Sequence, residues 1–306
     1  MTVSKTPLSA LLLAAALGAT ANGALLVREG FDNYAAATSF TAGTTATNAT
    51  GLTGNYKNNN AGTYTATAGG LAFSDYNTAG GNKLSAPFTG GGTSLQAQLS
   101  LSTTVPAGST LWSSYLVRYS TISAGPSSLS EVRIHPSDAG TGGGARFRSM
   151  SNSADGVGNT FAGISYGATI VTASSPSSQL AATTTYMVIS SFSNVGGSGA
   201  ATATQWVLTE AQYNDFRDAG SLSFANLTAR TAGAGATNAF SIISDTATSL
   251  TFGSGLYLQI AGNSDQATYD EIRYATTLSE VVTAIPEPGS MALAGLGAIA
   301  FLRRRR

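Results

Sequence analysis

The sequence of 306 residues contains no cysteine, which excludes disulfide staples, thiolate-bound metals and a thiol nucleophile. His135 is its only histidine, so a zinc site built from several imidazoles is excluded as well. Charged residues make up 10% of the chain, against ~25% in ordinary globular domains. Charge-driven disorder does not follow, because 42% of the residues are hydrophobic and can build a core. No convincing G-x-S-x-G elbow supports a nucleophilic triad, and the spacing of an EF-hand loop and an internal repeat of useful length are missing. The formal charge of zero is misleading. Without Lys5, Glu287 and the four terminal arginines, ten basic and fourteen acidic residues remain, leaving the body near −4. That balance argues against nucleic acid as a partner.

What is present begins at the two ends. Lys5 precedes an apolar run from Leu8 to Gly18, and small residues follow at Ala19, Ala21 and Gly23. This layout predicts a secretory signal peptide over 1–23, cut after Ala21 or Gly23. The last residues read Ile285-Pro286-Glu287-Pro288, then fourteen uncharged residues from Gly289 to Leu302, then Arg303, Arg304, Arg305 and Arg306. As a helix the uncharged run would reach ~21 Å at 1.5 Å per residue, short of the ~30 Å hydrocarbon core. Its many Ala and Gly residues make it a weak plug, held only if the arginines snorkel. Four arginines resist translocation and stay on the cytoplasmic side. Pro286 and Pro288 keep the junction extended and reachable by an enzyme.

A Pro-Glu-Pro motif, a short membrane segment and a terminal basic cluster, in this order and spacing, resemble the PEP-CTERM sorting signal over 284–306. The resemblance implies recognition and cleavage by an exosortase-type membrane enzyme, on exported proteins of exopolysaccharide-producing bacteria. The expected course is export, transient hold in the inner membrane, then release to the cell surface or the extracellular matrix. An ordinary C-terminal anchor would leave Pro-Glu-Pro without a role.

Between the ends lie roughly 260 residues, enough for one large all-β domain. Thr, Ala, Gly and Asn dominate 35–70, which predicts long loops with one or two short strands, around Tyr64–Thr67, and a loop at Asn58–Asn60. A two-residue period then becomes legible. Leu95, Ala97, Leu99 and Leu101 alternate with Gln96, Gln98 and Ser100; Tyr115, Val117 and Tyr119 alternate with Leu116 and Arg118. Val132 and Ile134 alternate with Glu131, Arg133 and His135, and Phe147 lies between Arg146 and Arg148. Tyr186–Phe192, Gln205–Leu208, Phe240–Ile243, Leu256–Ile260 and Tyr269–Tyr274 continue the series, with turn signals such as Gly142-Gly143-Gly144 between runs. Many short strands predict a sandwich rather than a parallel α/β sheet. Thr209-Glu210-Ala211-Gln212 and Thr277-Leu278-Ser279-Glu280 have capping-box spacing and predict two short helices.

The opening Glu29-Gly-Phe-Asp-Asn-Tyr34, the middle Leu111-Trp-Ser-Ser-Tyr-Leu-Val-Arg118 and the closing Tyr269-Asp-Glu-Ile-Arg-Tyr274 together resemble concanavalin A-like (laminin G-like) jelly rolls. The resemblance spans most of 24–283. It implies an antiparallel jelly-roll sandwich in which the first and last strands pair.

No catalytic residue is assigned. The E-x-D-x-E strand of glucanases of this fold is absent, and Asp270 and Glu271, being adjacent, point to opposite faces of a regular strand. Structural closure with Arg273 is the better reading of that pair. His135 reads as a solvated surface residue. Calcium is the one ion the resemblance leaves open, through Asp32, Asn263, Asp265 and Asp270, with Asp32 arriving if the end strands pair. Arg118, Arg133, Arg146 and Arg148 occupy mostly outward positions. On neighbouring strands they would form a cationic stripe fit for the carboxylates or sulfates of an extracellular polysaccharide; the preferred reading is solubilising charges that discourage edge pairing. Trp112, Tyr115 and Tyr119 read as core, and Tyr56, Tyr64 and Tyr76 as loop tyrosines freer to stack on sugars. The expected function is a structural or carbohydrate-contacting surface protein and not an enzyme. The alternatives are a glycosidase or lyase, and a protein-binding adhesin.

Overall fold

The computed structural model describes residues 23–41, 44–46, 49–59, 63–77, 80–86, 93–101, 105–120, 130–136, 147–154, 160–165, 171–172, 180–231, 244–248, 250–262 and 267–283. The signal peptide, the sorting tail and the expected strand Phe240–Ile243 lie outside them. The strands in chain order are β1 Leu25–Glu29, β2 Ser39–Phe40, β3 Leu52–Asn59, β4 Tyr64–Ala68, β5 Asn82–Ser85, β6 Thr93–Leu99, β7 Ser109–Tyr119 and β8 Ser130–His135. They continue with β9 Phe147–Ala154, β10 Thr160–Ser165, β11 Val171–Thr172, β12 Thr185–Val195, β13 Ala200–Leu208, β14 Ser244–Thr248, β15 Tyr257–Gly262 and β16 Ala267–Ala275. The helices are α1 Glu210–Asp218, α2 Phe224–Thr231 and α3 Leu278–Val282.

Among the described residues the strands form two antiparallel sheets. A nine-stranded sheet runs β14-β13-β12-β7-β16-β5-β4-β2, with β1 also pairing to β16; a seven-stranded sheet runs β11-β10-β9-β8-β15-β6-β3. The alternating side chains explain the stacking. Leu95, Ala97, Leu99, Val132, Ile134, Leu258 and Ile260 on one sheet share a buried core with Tyr115, Val117, Tyr119, Tyr186, Val188 and Phe192 on the other. Each such side chain, fully buried, contributes ~1.5–3 kcal/mol relative to exposure. The chain is therefore an all-β sandwich of two antiparallel sheets, as the strand periodicity predicts.

A third layer covers the far face of the nine-stranded sheet. Trp112, Leu116, Met187, Ile189, Trp206 and Leu208 pack there with Tyr213 and Phe216 of α1, Leu227 of α2 and three residues of α3. Leu116, which the alternation places outward, is buried under these helices for that reason. The Thr209 capping box forms in full, with its hydroxyl accepting from the Gln212 amide and the Gln212 side chain accepting from the Thr209 amide. At Thr277 it does not form; Thr277 makes no side-chain cap, and its hydroxyl pairs with that of Ser279. Helix α2 has no counterpart in the sequence reading.

The segment 35–70 departs most from expectation. It holds β2, β3 and β4, and β3 runs through Asn58 and Asn59. Tyr56, Tyr64 and Tyr76, read as loop tyrosines, are all buried, and Tyr34, Phe40 and Tyr56 form edge-on ring contacts. Trp112, Tyr115 and Tyr119 are buried as read. The first and last strands do pair, with Val27 opposite Tyr274, Arg28 opposite Arg273 and Glu29 opposite Ile272.

Candidate functional site

The outward face of the seven-stranded sheet carries an unusual set of side chains. Strand register lines up Lys57 on β3, Gln96 on β6, Gln259 on β15, Arg133 on β8 and Arg148 on β9 in one row across five strands. Directly opposed residues share a face, and this is the face away from the inter-sheet core. Yet Gln96 is 0% exposed, Gln259 3%, and Arg133 and Arg148 6% each. Buried polar groups demand partners, and most of the row has them. The Arg133 guanidinium reaches a Glu131 carboxylate oxygen at 2.9 Å and donates through Nε to Gln259 Oε1 at 2.5 Å. Arg148 donates through Nε to the other Glu131 oxygen. Two arginines directly opposed on neighbouring strands would repel; the Glu131 carboxylate between them offsets that. Next to this row stand Tyr257 and His135, also register partners, with ring centroids 6.2 Å apart.

This placement corrects several expectations. His135 is not a solvated residue; it is 6% exposed, against Tyr257. Arg118 does not join Arg133 and Arg148, because it is exposed on β7 of the other sheet, opposite Thr185 and Thr268. Consecutive strands β7 and β8 lie in different sheets, so the assumption of neighbouring strands fails there. Arg146 lies outside the described residues. The stripe thus reduces to Arg133 and Arg148, extended across the sheet by Lys57 and two glutamines that sequence reasoning did not single out as a site. Their signal was only the alternation of Gln96 and Gln98 with core residues; the row becomes visible once strand order is known.

The closing strand builds a second polar cluster. The β16 pairing slips between Asp270 and Arg273, and Glu271 adopts φ +48°. This bulge breaks the strict alternation expected for the Asp270–Glu271 pair. Glu271 takes Arg28 at 2.6 Å and Arg273 at 2.7 Å, while Arg273 donates to the Thr283 carbonyl and stacks over Tyr76 at 4.1 Å from its centroid. Burial pushes the Glu271 carboxyl up, but Arg273 and Arg28 prevail and hold it below its usual range. Asp270 accepts from the Leu71 amide at 2.7 Å and from Asn77 at 2.9 Å, and burial drives its carboxyl well above the usual range. These contacts tie the last strand to the first strand, to the 71–77 loop and to the segment after α3. Their chemistry is closure.

Of the four calcium candidates, Asn263 and Asp265 lie outside the described residues. Asp32 accepts from the Asn82 amide and pairs with Arg28 at 3.5 Å, close against Gly81, whose φ of +69° suits glycine. Among the described residues no group of three or more His, Asp or Glu comes close enough to hold a metal. A further buried acid escaped sequence reasoning. Glu29, 2% exposed, accepts from the Phe31 amide at 2.8 Å and from the Tyr56 hydroxyl, and burial pushes its carboxyl up to about 7.

Residues 284–306 match the PEP-CTERM protein-sorting motif, so the chain carries the tail of an exosortase substrate. No curated protein matches the chain in sequence. Among solved structures the chain is similar to the T. cruzi calreticulin globular domain, at 10% identity and a TM-score of 0.45, over 92% of this chain and 100% of that one. It is also similar to peanut lectin, at 8% identity and a TM-score of 0.40, over 82% of this chain and 97% of that one. The marine PL-14 alginate lyase from Aplysia kurodai aligns at 11% identity and a TM-score of 0.38, over 67% and 87%. No helix among the described residues is long and apolar enough to cross a membrane.

Proposed function

We propose that this is an exported, exosortase-processed protein whose body contacts an acidic extracellular glycan through the outward face of its seven-stranded sheet. The observation that carries the reading is the row from Lys57 to Arg148, which gathers three cationic side chains and two glutamines on the face away from the core. Among the described residues, Lys57, Arg133 and Arg148 stand on this face beside the Glu131 carboxylate, on a body of about −4. A local field opposite to the net charge draws an anionic polymer to one face and repels it from the rest. The sorting tail supports the setting, since its membrane hold and release deliver the body to the outside.

The test is retention of the mature protein on polygalacturonate and on neutral dextran. Retention on polygalacturonate alone, falling as salt rises, is expected. Equal retention on dextran, or binding indifferent to salt, would overturn the reading. The enzyme reading has one observation in its favour: His135 and Tyr257, two groups able to move protons, lie on this same face beside Arg133. Polygalacturonate turnover lost in His135→Ala would favour it.

A further inference from the structure

The last described residues are pinned to the body from four sides. Helix α3 has only five residues, Leu278–Val282, and a helix end leaves carbonyls without intrahelical partners. Side chains of the body take them up. The Val281 carbonyl accepts from the Ser114 hydroxyl of β7 at 2.6 Å and from the Tyr76 hydroxyl at 3.1 Å. The Val282 carbonyl accepts from the Tyr213 hydroxyl of α1 at 2.7 Å, and the Thr283 carbonyl from Arg273 of β16 at 2.5 Å. Val281 and Val282 are buried, whereas Thr283 is exposed. Peeling 281–283 away would strand these donors inside the body. The chain therefore leaves the body at Thr283.

Only Ala284 to Pro288 separate Thr283 from the uncharged run that starts at Gly289. Fully extended, the six residue steps from Thr283 to Gly289 reach ~20–22 Å. A headgroup layer takes up ~5–7 Å of that reach. While the tail is held, Thr283 thus stands no more than ~15 Å above the lipid surface. A body of this size has a radius of gyration of ~18 Å. It cannot turn over on such a tether, so the side that bears Thr283 faces the bilayer.

That side is the helix layer. The three helices lie together on the far face of the nine-stranded sheet, and α1 packs on α2 while its Tyr213 holds the end of α3. At the start of α2 stands Phe224, 46% exposed, the one large hydrophobic side chain left in the open among the described residues. Its ring meets Trp206 edge-on at 5.0 Å and Trp112 at 6.3 Å, and the two indoles stack at 5.9 Å. An aromatic side chain on a surface helix suits the boundary between headgroups and acyl chains. Charge gives no help, since α1 carries Glu210, Asp215 and Asp218 against Arg217.

We propose that the helix layer is the surface that rests on the membrane lipid while the tail is uncut, with Phe224 as its contact and the polar sheet face turned outward. A short tether holds the body at an effective concentration of the order of mM at the lipid surface. One aromatic contact is populated under that condition and lost once the tail is cut, so cleavage frees the body without a second release step. The proposal rests on the hold of the tail in the membrane, which the experiment reads separately.

The experiment reconstitutes the chain from Ala24 to Arg306, in which the tail is the only membrane segment, into phosphatidylcholine vesicles. The acyl chains carry bromine close to the glycerol, where it quenches indole emission. Trp112 and Trp206 are the two tryptophans of the sequence and both lie in the helix layer, so no label is needed. Flotation with the vesicles reports the hold of the tail. Wild type is expected to float and to lose emission relative to unbrominated vesicles. Phe224→Ser, at an exposed position, should float and lose less, as should a chain with a long flexible Gly-Ser linker inserted after Ala284. Wild type that floats with undiminished emission, or variants quenched as strongly as wild type, overturn the helix-layer contact and leave the hold of the tail standing. Wild type that does not float overturns the hold and this contact with it.

Discussion

Replacing Glu29 by glutamine tests whether burial, rather than any ion pair, governs the acid beneath β1. Burial raises the Glu29 carboxyl to about 7 from 4.5, against the opposing pull of the Tyr56 hydroxyl, the Phe31 amide and Arg28. A folded-state value above the unfolded one means that the native protein binds the extra proton between these two limits. Stability from this group is therefore whole below pH 4.5 and drains away as pH rises toward 7. Between pH 5 and pH 8 the wild type should lose roughly 2–3 kcal/mol that a neutral side chain does not lose. Glutamine has the shape and charge of the protonated acid, with the Tyr56 hydroxyl turning from donor to acceptor. The difference between Glu29→Gln and wild type isolates this residue from Asp270 and Glu271, which titrate in both. Urea unfolding of the two proteins at half-unit steps from pH 5 to pH 8 measures it. For a body of this size the gain is about 4–12 °C in melting temperature at pH 8. Parallel stability curves across that range, or a variant that loses ground as pH rises, would refute the reasoning.

Material collected outside the cell should lack Arg303 to Arg306; an intact mass containing the full C-terminus rejects exosortase-type processing of this chain. Glu271→Ala strands the buried Arg273 and should cost roughly 3–5 kcal/mol in urea unfolding, whereas a loss under about 1 kcal/mol would show that the Thr283 carbonyl and the Tyr76 ring suffice. Thr209→Ala removes the one capping box that forms and should cost about 1 kcal/mol, read in the same assay. Arg118→Ala, on the opposite sheet, should leave retention on polygalacturonate unchanged; a loss would move the glycan contact to the exposed tip of β7.

What the sequence made legible follows from which information is local. The period of β6, β7, β8, β12 and β16 is written in consecutive residues, so the strands and their core faces could be read one at a time. The tail is equally local, and its three parts stand in order. Sheet membership is not local. β7 and β8 are consecutive in the chain yet belong to different sheets, while β8 and β9 pair; this separates Arg118 from Arg133 and Arg148. The 35–70 segment hid β3 because Asn and Gly there serve a bulge as well as loops, and a bulge erases the two-residue period by design. Burial of the polar row hid for another reason. Alternation says which way Arg133, His135 and Gln96 point, but not what lies over them. The same limit makes Gln96 informative. A residue whose pattern says surface, whose accessibility says core and whose amide finds no partner among the described residues answers to neither solvent nor packing.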